Sequence, residues 1–362
     1  MDFAKRRKLA LAGARALGVD GVVVTHLPDV RWLTGFTGSN AAVVLAAGKS
    51  VLLTDGRYTA QAKAEAKGVR VVVEKKAAVG AACAWLAGAG VGVCGFDDGN
   101  TSVAALKGMK ADVAKAKGGR VRFVPVGHLV AGLRWVKDSG EIAVVREAAG
   151  LGCRLFDEML GVIEPGMTEV AVAAELEYRA RLGGAEAMSF ETIVASGARS
   201  ALPHGRAGSA KVPKKGFVTL DFGVVVGGYC SDMTRTVHMG RGEAEEVDVY
   251  HSVLEAQIAG VQAIAPGVSC GEVDEACRSV LRRAKLEKYF IHSTGHGVGL
   301  EIHEGPRLAA KQTQKLEAGM VVTVEPGVYL PGRFGVRIED MVLVTKAGSE
   351  ILTPSTKAWI EL

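Results

Sequence analysis

Two pairs of acidic residues, each set in an apolar strand-turn-strand run, constrain this 362-residue chain more than any other feature. Asp221 and Asp232 flank Gly227 and Gly228 amid Val, Leu, Phe and Cys. Two β-rich runs around a Gly-Gly pair predict a hairpin. A turn centred on Val226 and Gly227 sets Asp221 opposite Asp232. A turn at Gly227 and Gly228 makes the pair diagonal but leaves it on one face. Glu325 and Glu339 repeat the arrangement around Gly332, where the same parity sets them opposite each other. Like charges side by side on a sheet repel, and apolar surroundings raise the cost. Chance could account for one such pair; two are better explained by a shared cation.

Histidines supply the complementary signal. His292, His296 and His303 fall within one Gly-rich stretch, and Gly295 and Gly297 flank His296 so that backbone can approach it closely. A single histidine is ordinarily a core or surface residue, but three so close together shift that balance. His204, between Pro203 and Gly205, belongs to a fixed loop rather than a helix face. Four carboxylates and imidazole form an oxygen-rich ligand set. It suits Mn²⁺, Co²⁺ or Zn²⁺ in five- or six-fold coordination better than tetrahedral structural zinc. Four acids exceed what one divalent ion balances, so two carboxylate-bridged ions, able to generate a hydroxide for hydrolysis, are expected. The spacing is not that of a helical H-E-x-x-H site, and the chain has no G-x-S-x-G elbow, Walker loop or nucleotide fingerprint.

Composition closes off other classes. A net charge of +5 and 6% aromatic residues argue against nucleic-acid binding. No apolar run approaches a membrane span. Six scattered cysteines without a C-x-x-C pair suit a reducing compartment. Basic residues 5–8 precede a short apolar stretch that faintly imitates a signal peptide, but Arg15 interrupts it, so a cytoplasmic protein is expected.

Strands are expected at 21–25, 41–45, 50–54, 69–73 and 91–95, and helices at 2–17, 57–67, 78–87 and 102–117, which reads as an α/β domain over 1–128. A seam at 125–139 leads into an α+β domain, 129–362, with two related halves. Its helices start near Asp138, Thr168, Glu243 and Ser269, with capping boxes at Asp138/Glu141 and Ser269/Glu272. No repeat of 20–50 residues is visible.

At these residues the chain resembles the proline-specific pita-bread metallopeptidases, aminopeptidase P and Xaa-Pro dipeptidase (prolidase). The resemblance spans essentially the whole chain and is strongest from Phe190 to Asp340; 30–39 and 53–58 resemble the creatinase-like N-terminal domain. It implies a creatinase-like α/β domain before a pita-bread domain with two pseudo-symmetric halves. It implies that Asp221, Asp232, His296, Glu325 and Glu339 ligate two divalent ions, Mn²⁺ foremost, with Asp232 and Glu339 bridging. A hydroxide between the ions would attack the carbonyl before proline, with Glu325 as proton shuttle. His204 and His303 would stabilise the tetrahedral intermediate, and Arg337 would orient the site acids or substrate. His292, Tyr329 and Phe190 would contact substrate. Proline-containing peptides are the implied partners and a homodimer the implied assembly. An amide before proline has no N–H, and the chemistry above requires none. Removal of one residue from longer peptides, as by aminopeptidase P, is the leading expectation and dipeptide-restricted prolidase the alternative. The segment around Trp32 or the turn at 55–58 would decide which peptides enter. A non-catalytic binding protein and a metal-free creatinase-like hydrolase are the rival readings, and the complete ligand set counts against both.

Overall fold

The computed structural model describes residues 1–46, 48–75, 77–116 and 120–362. These form two compact units, Met1–Arg134 and Trp135–Leu362.

The first unit is a mixed six-stranded sheet of β1 (Gly21–Val24), β2 (Ala41–Ala46), β3 (Lys49–Asp55), β4 (Arg70–Glu74), β5 (Val93–Phe96) and β6 (Arg122–Pro125), in the order β4-β3-β2-β1-β5-β6. Helices are α1 (Phe3–Ala16), α2 (Leu27–Thr34), α3 (Thr59–Glu65), α4 (Ala78–Gly88), α5 (Val103–Lys115) and α6 (Leu129–Arg134). Ala78, Ala82 and Leu86 of α4, with Met109 and Val113 of α5, pack on Val44, Val51 and Leu53. Lys117, the expected end of α5, lies outside the described residues.

Three elements differ from expectation. The segment around Trp32 is a helix, not a loop. Pro28 starts α2, Gly35 ends it with φ +83°, and Trp32 is buried. The seam at 125–139 contains α6, held by a buried Arg134–Asp29 ion pair of 2.7 Å. The unit therefore ends at Arg134 rather than at 128. β6 had no strand expectation.

The second unit is built twice over one plan. In the first half, α7 (Ser139–Met159) and α8 (Glu169–Leu182) cover a sheet of β8 (Ile193–Ser196), β9 (Gly216–Phe222) and β12 (Met233–Met239). A smaller sheet of β7 (Ala187–Met188), β10 (Val224–Val226) and β11 (Tyr229–Cys230) carries the turn. In the second half, α9 (Ala244–Ala263) and α10 (Cys270–Arg283) pack on β13 (Gly295–Gly297), β14 (Glu304–Leu308), β15 (Val321–Val324), β18 (Asp340–Thr345) and β19 (Gly348–Ile351), with β16 (Gly327–Leu330) and β17 (Phe334–Arg337) as a hairpin. Both expected capping boxes form, and α9 has a third between Glu243 and Glu246.

The halves share a signature that a search for short repeats misses. Pro165, Gly166 and Thr168 precede α8 as Pro266, Gly267 and Ser269 precede α10. The two glycines take φ +93° and +86° and donate to Val212 O and Leu316 O. Only glycine adopts that backbone readily, so one turn chemistry opens the second helix of each half.

Candidate active site

Register places the first carboxylate pair. Val225 pairs with Cys230 and Val226 with Tyr229, so the turn is Gly227-Gly228, at φ +53° and +77°. The centred-turn expectation is thereby corrected. Asp221 faces Thr234, and Asp232 lies diagonal to it on the same face.

The second pair sits at an interruption between ladders. Val324 faces Asp340 on one side and Gly327 faces Arg337 on the other, in one continuous register. Carried through the break, that register sets Glu325 opposite Glu339. There the backbone N–H of Glu325 donates to Thr294 O at 2.8 Å and that of Glu339 to Thr234 O at 3.1 Å. These bonds draw the His292–His296 segment and β12 against the two glutamates.

His296 enters between backbones too close for side chains. A Cβ on Gly295 would meet Thr323 O, and one on Gly297 would meet Gly305 O. His296 Nε2 lies 3.6 Å from both Asp232 Oδ2 and Glu325 Oε1. Asp232, His296 and Glu339 each offer a ligand atom, all within 4.8 Å of one another.

Arg337 holds the back of the site. Its guanidinium donates to Asp221 Oδ2 at 2.5 Å, Tyr329 Oη at 2.7 Å, Pro203 O at 3.0 Å and Thr234 Oγ1 at 3.1 Å. Tyr329 and His292 Nε2 are 2.9 Å apart. All of these except Tyr329 and Thr234 line a cavity of about 650 Å³ with Phe190, His204 and His303. Tyr329 stands behind His292 and Arg337, bonded to both.

Charge is unbalanced here. Burial, then repulsion from Glu339, Asp221 and Glu325, raises the carboxyl of Asp232 well above its usual range. Glu325 is raised similarly, by burial and then Glu339, and Glu339 is pushed up to about 8 by burial and then Asp221. Burial lowers His292 and His296 to about 4, which keeps both imidazoles neutral at pH 7. Among the described residues lining the cavity, Arg337 is the one buried cation. Carboxylate oxygens and a neutral imidazole, short of positive charge, fit divalent metal.

Three contributors are not singled out by the sequence. Thr234 donates to Glu339 Oε2 at 2.7 Å; its place two residues after Asp232, on the same face, is the available signal. Buried Asp274 on α10 accepts from Thr294 Oγ1 at 2.8 Å and pairs with Arg278, whose Nη2 donates to His292 O at 2.7 Å. Glu169 grips the loop carrying His204. Glu169 has no sequence signal, because its partners lie far along the chain; the i,i+4 spacing of Asp274 and Arg278 marks a helical pair but not their reach to Thr294 and His292.

Comparison with known proteins places this geometry. Residues 6–136 match the creatinase/prolidase N-terminal domain and 143–346 match metallopeptidase family M24. A Pyrococcus furiosus protein named Xaa-Pro dipeptidase is 40% identical over 67% of this chain and 70% of its own. The solved structure of a Bacillus anthracis Xaa-Pro dipeptidase superposes with a TM-score of 0.95 at 38% identity, covering all of both chains. That of a Thermotoga maritima X-Pro aminopeptidase gives 0.89 at 34% identity, covering 97% of this chain and all of the other. The chain belongs to metallopeptidase family M24, as a hydrolase whose pita-bread catalytic unit follows a creatinase/prolidase N-terminal domain.

Proposed function

We propose that this protein is a metal-dependent Xaa-Pro dipeptidase. The observation that carries the reading is the convergence of Asp232, Glu325, Glu339 and His296 on one charge-starved centre beside three further histidine-bearing or apolar walls, His204, His303 and Phe190. The relatives named above favour a dipeptidase over aminopeptidase P activity, the leading expectation from sequence. The aminopeptidase reading keeps the support of the Thermotoga structure.

Asp221, Asp232, His296, Glu325 and Glu339 would hold two divalent ions, with Mn²⁺ expected ahead of Co²⁺ or Zn²⁺. When bound, such ions polarise the scissile carbonyl and lower the pKa of water. Glu325 would carry a proton from the attacking water to the proline nitrogen. His204 and His303 donate to the oxygen that gains charge in the transition state. Burial lowers the pKa of His303, and its ring lies 4.4 Å from that of His296. His292, fixed by Tyr329, and Phe190 shape the wall for the pyrrolidine ring. Arg337 pairs with Asp221 and aims it. A homodimer working on proline-containing peptides in the cytoplasm completes the reading.

The test is side-by-side hydrolysis of Xaa-Pro and Xaa-Pro-Yaa peptides after chelation and add-back of Mn²⁺, Co²⁺ or Zn²⁺. Cleavage of the dipeptide alone is expected. Efficient tripeptide cleavage would restore the aminopeptidase reading, and silence on both with every metal would reject the peptidase.

A further inference from the structure

The loop with His204 is tied down by a carboxylate that no part of the reaction uses. Glu169 is the first residue of α8 and fully buried. Its oxygens are turned to the loop rather than to its own helix. Oε1 accepts from Ser196 N at 2.8 Å and Ser196 Oγ at 2.9 Å, and Oε2 from Arg199 Nε at 3.0 Å and Gly208 N at 3.3 Å. Arg199 Nη2 goes on to Arg206 O at 2.7 Å. The contacts therefore bracket the loop at its start, middle and end. From the other side, Ser200 Oγ accepts from Gly335 N at 2.9 Å and Pro203 O from Arg337 Nη1 at 3.0 Å. His204 itself faces the cavity.

The helix does not require this acid. An acidic residue in a first turn stabilises any helix by a few tenths of a kcal/mol to about 1 kcal/mol. Yet α10, opened by the same turn, has Cys270 at the corresponding position. A buried carboxylate is costly unless fully bonded, and the loop supplies these bonds. We propose that Glu169 is a positioning residue: through Ser196, Arg199 and Gly208 it holds His204 at the reacting carbonyl. This rests on the role given to His204 above.

The test uses the full-length, metal-loaded protein, an Xaa-Pro dipeptide and amide hydrogen exchange. Glu169→Gln, and Arg199→Gln as a variant that disturbs only a half-exposed partner, should raise exchange within 197–208 while leaving α8 protected. Each should lower kcat by about 10- to 100-fold with KM little changed, the scale of a small misplacement of a reacting group. On a His204→Ala background the same changes should cost less than about twofold, because the positioned group is gone. Unchanged exchange in 197–208 overturns the proposal, and so does a loss that adds in full to that of His204→Ala. Wild-type turnover by His204→Ala would overturn the role of the histidine, and with it the catalytic purpose of the anchor, even if the exchange result holds.

Discussion

Asp221, in the first half of the catalytic unit, gives an oxygen to a buried guanidinium that reaches over from the second; Glu325 and Glu339, in the second half, face each other with the hydroxyls of Thr323 and of Thr234 from the first half turned toward them. The frames around these acids are alike, down to the glycine turns before α8 and α10. What differs is how negative charge is compensated. The contrast teaches that compensation follows the individual acid and not the half: Asp221 is paired with Arg337 from the other half, whereas Asp232, Glu325 and Glu339 are left to a cation from outside.

The largest effect should come from the uncompensated acids. Glu339→Ala removes a carboxylate from the three-residue cluster, and turnover of an Xaa-Pro dipeptide should fall to background at any Mn²⁺ concentration. Retained turnover would break the comparison outright. Metal-free thermal melts read the asymmetry next. Asp221→Asn takes the counter-charge from buried Arg337 and should lose about 3–5 kcal/mol, the cost of breaking a buried pair. Glu325→Gln relieves repulsion and should gain about 1 kcal/mol at pH 8. Equal signs for the two variants would show that the paired and the unpaired acids handle charge alike.

The pH dependence of the metal-free protein sharpens the same point. Glu339 titrates near 8 when folded, against 4.5 when free, so between those values the folded state binds more protons and stability falls as pH rises. His292 and His296, lowered from 6.5 to about 4, act oppositely, and their contribution is complete only about one pH unit above 6.5, once the unfolded imidazoles have lost their protons. Above about pH 7.5 the carboxylates act alone. Stability from denaturant titration should drop by about 1 kcal/mol per pH unit there, and divalent metal should abolish the slope. The smallest effect tests the shared frame. Thr168→Ala and Ser269→Ala, the caps of α8 and α10, should each cost about 1 kcal/mol, with no bias between halves.

Much of this is legible in the order of residues alone. Helices with strong caps can be read to within a few residues, because Asp138/Glu141 and Ser269/Glu272 satisfy local N–H groups and need nothing distant. The carboxylate pairs are legible for a different reason: strand period and turn chemistry fix which residues share a face. Moving the turn by one residue at Gly227 changes the partner of Asp221 but not its face. The features that stay hidden are short or long-range. α2 is eight residues long, and its start and stop signals, Pro28 and Gly35, read equally well as loop. Glu169 and Asp274 act on segments whose nearness only the folded chain creates.

The backbone bonds from Glu325 to Thr294 and from Glu339 to Thr234 bear on redesign. They hold these two positions by main-chain groups, which every residue except proline provides. The side chains there can be exchanged while the anchoring of the backbone is kept, so the proposed ligand set is open to reprogramming toward softer donors or a different ion. His204 offers no such freedom, since its place depends on the side chains of Glu169 and Arg199. A designer would do well to alter the strands and leave that loop alone.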